Sequence, residues 1–139
     1  MFQIVIAEDN PTDVYLLREA LTLHSIGCSI NVFPTGDKLM RYLDEAGCTD
    51  GPPCPDLVIL DWHLPFGDGV SIIKKVVEHR ICEETPVVVL TSSASPKDKQ
   101  EALRAGADDY IQKPSGLAEF LDIGRVVRSY VDKKAASNN

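Results

Sequence analysis

The sequence predicts an α/β domain: a doubly wound, five-stranded parallel sheet of (βα)5 type. Three observations carry that expectation. Five short apolar runs recur along the chain, at Gln3–Ala7, Ser29–Phe33, Leu57–Leu60, Val87–Leu90 and Asp109–Ile111. The stretches between them have helical periodicity, so strand and helix alternate throughout, which is the pattern of a parallel sheet with right-handed crossovers. The third and fourth runs, LVIL and VVVL, are continuously aliphatic, as expected of strands covered on both faces.

Each element has its own justification. After the first run, Asn10-Pro11-Thr12-Asp13 supplies an N-cap, a proline at the first helical position and an acid in the first turn. Val14, Leu17 and Leu21 then share one face. Gly36 precedes Leu39, Leu43 and Ala46 at helical spacing, and Asp68-Gly69 precedes Val70, Ile73, Val76 and Val77. Ser95-Pro96 opens a fourth helix through Ala102 and Leu103 that stops near Gly106. Asp109–Ile111 is the weakest strand by pattern. A fifth helix starts near Ser115 and carries Leu117, Phe120, Leu121, Ile123, Val126, Val127 and Tyr130. Glu45–Pro55, with Gly51-Pro52-Pro53 inside it, reads as a long exposed loop. Residues 1–134 are expected to form one domain, and Ala135–Asn139 a frayed, disordered tail.

Composition narrows the function classes. A chain of 139 residues, 44% hydrophobic, holds one packed domain. A formal charge of −7 excludes a surface that binds nucleic acid by neutralising phosphates. No apolar run approaches the ~20 residues that span a bilayer. The N-terminus has no basic leader before Glu8-Asp9, so a cytoplasmic location is expected. The four cysteines, Cys28, Cys48, Cys54 and Cys82, form no C-x-x-C pair and no zinc-finger spacing with histidine. They are expected to be ordinary reduced thiols.

In open α/β sheets the ligand site lies beyond the carboxyl ends of the strands. Here the first strand ends in Glu8-Asp9, the third in Asp61, the fourth in Thr91, and the fifth leads to Lys113-Pro114. Each alone has an ordinary explanation as a loop acid, a turn residue, a helix lead-in or a surface lysine. Together they put three carboxylates, a hydroxyl and an ammonium at one sheet edge. Crowded carboxylates call for a cation, and an all-oxygen set suits Mg²⁺. A metal and an ammonium beside a free carboxylate favour phosphoryl transfer onto it. Nothing in the set resembles a nucleophile–histidine pair for acyl transfer.

The ordered stretches "IVIAEDNP", "PDLVILDWHLPFGDG", "PVVVLTSSAS" and "AGADDYIQKP" resemble the receiver domain of two-component response regulators, the CheY-like family, from about Gln3 to Asp132. The resemblance implies a flavodoxin-like sheet and a signalling domain that is not an enzyme. It implies Asp61 as phosphoacceptor, with Thr91 and Lys113 contacting the phosphoryl group. Asp9, Asp61 and the main-chain carbonyl of His63 would hold Mg²⁺ or Mn²⁺, and Glu8 would act through metal-bound water. Thr91 and Tyr110 would form the switch. Pro114 would follow a cis peptide bond, and Pro65 and Gly69 would shape the loop after Asp61. His63 and Ser93 would tune phosphoryl lifetime by flanking the attacking water, against the plainer readings of His63 as an exposed side chain and of Ser92 and Ser93 as the polar lead-in to the following helix. Ser92 would join Ser93 at the pocket rim.

Only a short stretch follows the last helix, so a single-domain regulator is expected. It resembles chemotaxis signals, phosphorelay intermediates and the regulators paired with bacterial phytochromes. The expected partner is a sensor histidine kinase, of phytochrome type in the last case, or a phosphotransfer protein. The face of the fourth helix, fifth strand and fifth helix carries Lys97, Lys99, Asp108, Asp109, Gln112, Arg125 and Arg128. It is either simply solvated or a two-fold homodimer interface. Among rivals, a haloacid-dehalogenase-type hydrolase needs a D-x-D motif that Asp61-Trp62-His63 lacks, and a flavodoxin-like cofactor binder is disfavoured by the acidic first turn. A non-phosphorylated pseudo-receiver remains the alternative.

Overall fold

A computed structural model describes residues 1–137. Five strands form one sheet: β1 (Phe2–Ala7), β2 (Cys28–Phe33), β3 (Leu57–Leu60), β4 (Val87–Thr91) and β5 (Asp109–Gln112). All neighbours run parallel, in the order β2-β1-β3-β4-β5. The expected strands therefore stand with their ends moved by a residue or less. The helices are α1 (Pro11–Leu23), α2 (Gly36–Glu45), α3 (Gly69–Val77), α4 (Pro96–Ala105), α5 (Leu117–Leu121) and α6 (Ile123–Ser137).

Strand alternation sends successive side chains to opposite faces, and both faces are buried. Val5, Ala7, Val58, Leu60, Val87 and Val89 pack with Leu39 and Leu43 of α2, Ile72, Ile73 and Val76 of α3, and Ala102 of α4. Ile4, Ile6, Leu57, Ile59, Val88 and Leu90 pack with Leu17 and Leu21 of α1, Phe120 of α5, and Ile123 and Val127 of α6. The sheet thus separates two half-cores.

The caps are those the sequence names. Asn10 Oδ1 accepts from the N–H groups of Thr12 (2.9 Å) and Asp13 (3.4 Å). Asp68 caps α3 through Ser71 N–H, and Ser95 caps α4 through Asp98 N–H.

Three expectations need correction. The single last helix is two segments, α5 and α6, joined at Asp122, which keeps right-handed helical dihedrals (φ −65°, ψ −15°). The expected tail at 135–139 is helical through Ser137, because α6 is fastened by an ion pair from Lys134 to Asp56, ahead of β3. Alanines there also favour helix. Asn138 and Asn139 lie outside the described residues. Finally, Cys54 and Cys82 are not free thiols: they form a disulfide, with Cα atoms 5.3 Å apart. Because β3 and β4 pair in parallel, the loops that lead into them emerge side by side and bring the two sulfurs together. Cys28 and Cys48 are free.

Candidate functional site

From β1 the strand order steps to β2 on one side and β3 on the other. That reversal opens a crevice at the carboxyl ends of β1 and β3. Ala7 and Leu60 are ladder partners, so the residues after them leave the sheet together. Main-chain bonds fix them there: Glu8 N–H donates to Phe33 C=O (3.0 Å) and Asp61 N–H to Ala7 C=O (2.9 Å). On the other side, Lys113 N–H donates to Thr91 C=O (2.7 Å).

These anchors bring the charged groups to one point. Lys113 Nζ lies 2.5 Å from Glu8 Oε1, 2.7 Å from Asp13 Oδ2 and 3.2 Å from Asp61 Oδ2. Glu8 Oε2 accepts from the N–H groups of Asp9 (3.0 Å) and Asn10 (3.3 Å). Asp61 Oδ1 accepts from His63 N–H (3.1 Å), which brings the His63 main chain beside the carboxylate. Glu8, Asp61 and Thr91 are buried, whereas Asp9 is exposed.

Burial and charge set the protonation. Burial, opposed by Lys113 and reinforced by Asp61, pushes the Glu8 carboxyl up to about 7. Burial also works to raise Asp61, but the His63 N–H, Glu8 and Lys113 outweigh it and hold Asp61 below the usual carboxylate range. Burial disfavours the Lys113 ammonium, yet Asp13, Glu8 and Asp61 prevail and keep it charged to unusually high pH. Sequence reasoning missed Asp13 as a partner of Lys113. It reads as a first-turn acid, and the two are 100 residues apart.

The donors fit a hard divalent cation. Glu8, Asp9 and Asp61 each offer one carboxylate oxygen, and those oxygens lie within 4.8 Å of one another. With Asp13, four carboxylates gather at the site and Lys113 pairs with three of them, Glu8, Asp13 and Asp61, a surplus of negative charge that oxygen-seeking cations relieve.

The rim is built by the loops after β3 and β4. Thr91 Oγ1 accepts from Ser93 N–H (3.3 Å). Ser93 Oγ donates to Asp98 Oδ2 (2.6 Å), and His63 Nε2 lies 3.4 Å from that same oxygen. Asp98 of α4 thus joins Ser93 and His63, a link that the sequence did not reveal. Ser92 is exposed. Tyr110 is half-buried and donates its hydroxyl to Ser93 C=O (3.1 Å). Trp62, 9% exposed, covers Gly69, where a Cβ would come within 2.5 Å of the indole. Pro65 C=O accepts from Gly36 N–H (2.8 Å) and ties this loop to α2.

The expected cis bond before Pro114 is corrected. Among the described residues no peptide bond is cis, and Lys113–Pro114 has the trans form that X-Pro bonds intrinsically favour. The charged face around α4 and β5 is engaged within the chain. Asp108 accepts from Val87 N–H, Asp109 from the Tyr130 hydroxyl, and Arg125 and Arg128 pair with Asp122 and Asp132. No helix among the described residues is long and apolar enough to cross a membrane.

The same fold and sequence pattern occur in known proteins. The model of the response regulator receiver domain matches residues 4–124. The KDP operon transcriptional regulatory protein KdpE of Escherichia coli is 40% identical over 120 residues, 86% of this chain and 48% of KdpE. The chain thus spans about half the length of that relative, but 86% of response regulator Rcp1 of Synechocystis sp., to which it is 26% identical over 127 residues. The Mn²⁺-bound form of Rcp1 superposes with a TM-score of 0.81 at 26% identity, covering 93% of each chain. The phosphorylated cyanobacterial phytochrome response regulator RcpA gives 0.80 at 27% identity, over 93% of this chain and 92% of RcpA. With the family model spanning β1 to the start of α6, the chain belongs to the response regulator receiver domain family.

Proposed function

We propose that this receiver accepts a phosphoryl group on Asp61 from a phosphohistidine, in a reaction that depends on Mg²⁺ or Mn²⁺. The observation that carries the reading is the convergence of Lys113 Nζ on Glu8 and Asp61, beside the exposed Asp9. Asp61 is held as the carboxylate and is the nucleophile: its oxygen bonds to phosphorus as the P–N bond of the donor breaks. Lys113 meets the charge on the phosphoryl oxygens, and the Thr91 hydroxyl donates to another. Glu8, Asp9, Asp61 and the His63 carbonyl would hold the cation, which when bound neutralises phosphoryl charge. Thr91 and Tyr110 relay the change to α4, with the Tyr110–Ser93 bond as the element that must rearrange. His63 and Ser93 set access of water to the acyl phosphate.

The likeness to RcpA, named as a phytochrome response regulator, supports a phytochrome-type sensor histidine kinase as donor, with a phosphotransfer protein as the other source. The face formed by α4, β5, α5 and α6 is the proposed dimer surface, and the proposed setting is the cytoplasm. We read the chain as a signalling domain whose only chemistry is its own phosphorylation and dephosphorylation.

Trp62 reports directly. Its fluorescence is recorded on adding Mg²⁺ and then acetyl phosphate, for wild type and Asp61→Asn. The expected result is two steps, the second lost in the variant. A metal step without a donor step in wild type, together with no labelling by any phosphohistidine donor, leaves a pseudo-receiver.

A further inference from the structure

The end of the sheet opposite Asp61 holds a second polar cleft, of about 490 Å³. The Cys54–Cys82 disulfide forms part of its wall, with Glu83 and Glu84 from the loop before β4 and Tyr130 and Lys133 from α6. Cys54 is half-buried and Cys82 is 4% exposed, so Cys54 is the more accessible partner of the bridge. Neither cysteine belongs to a strand or helix, and parting them breaks no ladder bond. The two loops keep other links, including Thr85 Oγ1 to Pro55 C=O (3.0 Å) and Val58 N–H to Pro86 C=O (3.0 Å). The two loops are thus also held together by bonds other than the bridge. A disulfide that lines an open cleft is accessible to exchange, whereas a structural bridge is normally shielded from it.

We propose that Cys54–Cys82 is a reversible thiol-exchange site, opened by a thiol that enters this cleft. Of the charged groups in the lining, Asp56 and Lys134 pair with each other and Asp108 accepts from Val87 N–H, which leaves the Lys133 ammonium and the Glu83 and Glu84 carboxylates to meet the carboxylate and ammonium of a small zwitterionic thiol of the glutathione class. The incoming thiolate attacks Cys54 Sγ; the Sγ–Sγ bond breaks, and its electron pair leaves with Cys82, which takes a proton from water. A second thiolate attacks the donor sulfur of the mixed disulfide and releases Cys54. The chain gains two thiols, and two donor thiols become one disulfide. Cys54 lies three residues before β3 and Asp61 directly after it, so oxidation ties down the base of the strand whose far end carries Asp61.

The test equilibrates the full chain at graded ratios of reduced to oxidised glutathione. It is then unfolded in iodoacetamide, and adducts are counted by intact mass. Counting carbamidomethyl and glutathionyl groups alike, two adducts, on the free Cys28 and Cys48, are expected in oxidised glutathione. They should rise to four of the four cysteines as reduced glutathione increases. Two adducts at every ratio would make the bridge a permanent staple and overturn the proposal, as would four adducts in oxidised glutathione alone. A second arm compares the reduction rates of wild type and Lys133→Glu. Glutathione should reduce the variant several-fold more slowly, while uncharged 2-mercaptoethanol reduces both equally. Identical ratios for the two reagents would overturn the assignment of the cleft as the route, leaving exchange from bulk solvent or by a protein dithiol.

Discussion

Glu8 makes the metal-free chain less stable as pH rises through neutrality. Its side chain is only 3% exposed, and its carboxyl is raised from 4.5 to about 7. A group whose folded-state pKa lies above its unfolded value stabilises the fold fully below the unfolded pKa. That contribution is lost as pH rises through the folded one. At 1.36 kcal/mol per unit, the loss between pH 5 and 8 is roughly 2.5 kcal/mol. With a urea m-value of about 1–3 kcal/mol/M, the midpoint should fall by roughly 1–2.5 M. The assay is urea unfolding in EDTA at pH 5, 6, 7 and 8, for wild type and Glu8→Gln. Asp61, held low, acts in the opposite sense and only in the acid range, so it does not mask the effect. The variant's midpoint should be the flatter by that amount. Equal slopes for the two proteins would refute the account, because every other titrating group is shared. Saturating Mg²⁺ should restore stability at pH 8 through binding to the ionised carboxylates.

Further outcomes follow from the same geometry. Lys113→Met strips one buried ammonium from three carboxylates; folding stability measured above pH 7 without metal should fall by about 3–5 kcal/mol, and acetyl phosphate labelling should collapse. Asp98→Ala releases both Ser93 and His63, and the decay rate of the Asp61 phosphoryl group should change; the same assay on His63→Asn and Ser93→Ala apportions the effect, and three unchanged lifetimes would remove these residues from the hydrolytic step. Gly47→Ala puts a Cβ 2.6 Å from Ile81 Cγ2 and 2.9 Å from Cys54 Sγ, at φ +79°; thermal unfolding should show a loss of about 1–3 kcal/mol.

The central strands β3 and β4 were legible because each is an uninterrupted apolar run buried on both faces, whereas β2, with Ser29 and Asn31, and β5, with Asp109 and Gln112, lie at the sheet edges and were read from their place in the strand–helix alternation. Glu8, Asp9, Asp61, Thr91 and Lys113 could be placed together from the chain alone because each closes or follows a strand, and parallel strands all end at one edge. What escaped the sequence depends on side chains meeting across elements. Asp13 looks like any first-turn acid until Lys113 reaches it. Asp98 is one more carboxylate on α4 until Ser93 and His63 converge on it. Cys54 and Cys82 carry no spacing signal over 28 residues, and only the neighbouring starts of β3 and β4 make them a pair. The extension of α6 has the same origin: Lys134 finds Asp56, 78 positions earlier.

The partition of the interior by the sheet has a mechanical consequence. Thr91 follows Val87 and Val89 on one face by strand alternation, and Tyr110 packs against that same half-core. As the proposed switch, this pair would push on the side of α2, α3 and α4, while α1 and α6 rest on the layer of Ile4, Ile6, Val88 and Leu90 behind the sheet. A spin label at Leu103 should therefore broaden or sharpen on phosphorylation while one at Leu23 stays silent. The proposed switch thus has a speaking side and a quiet side, and five strands keep them apart.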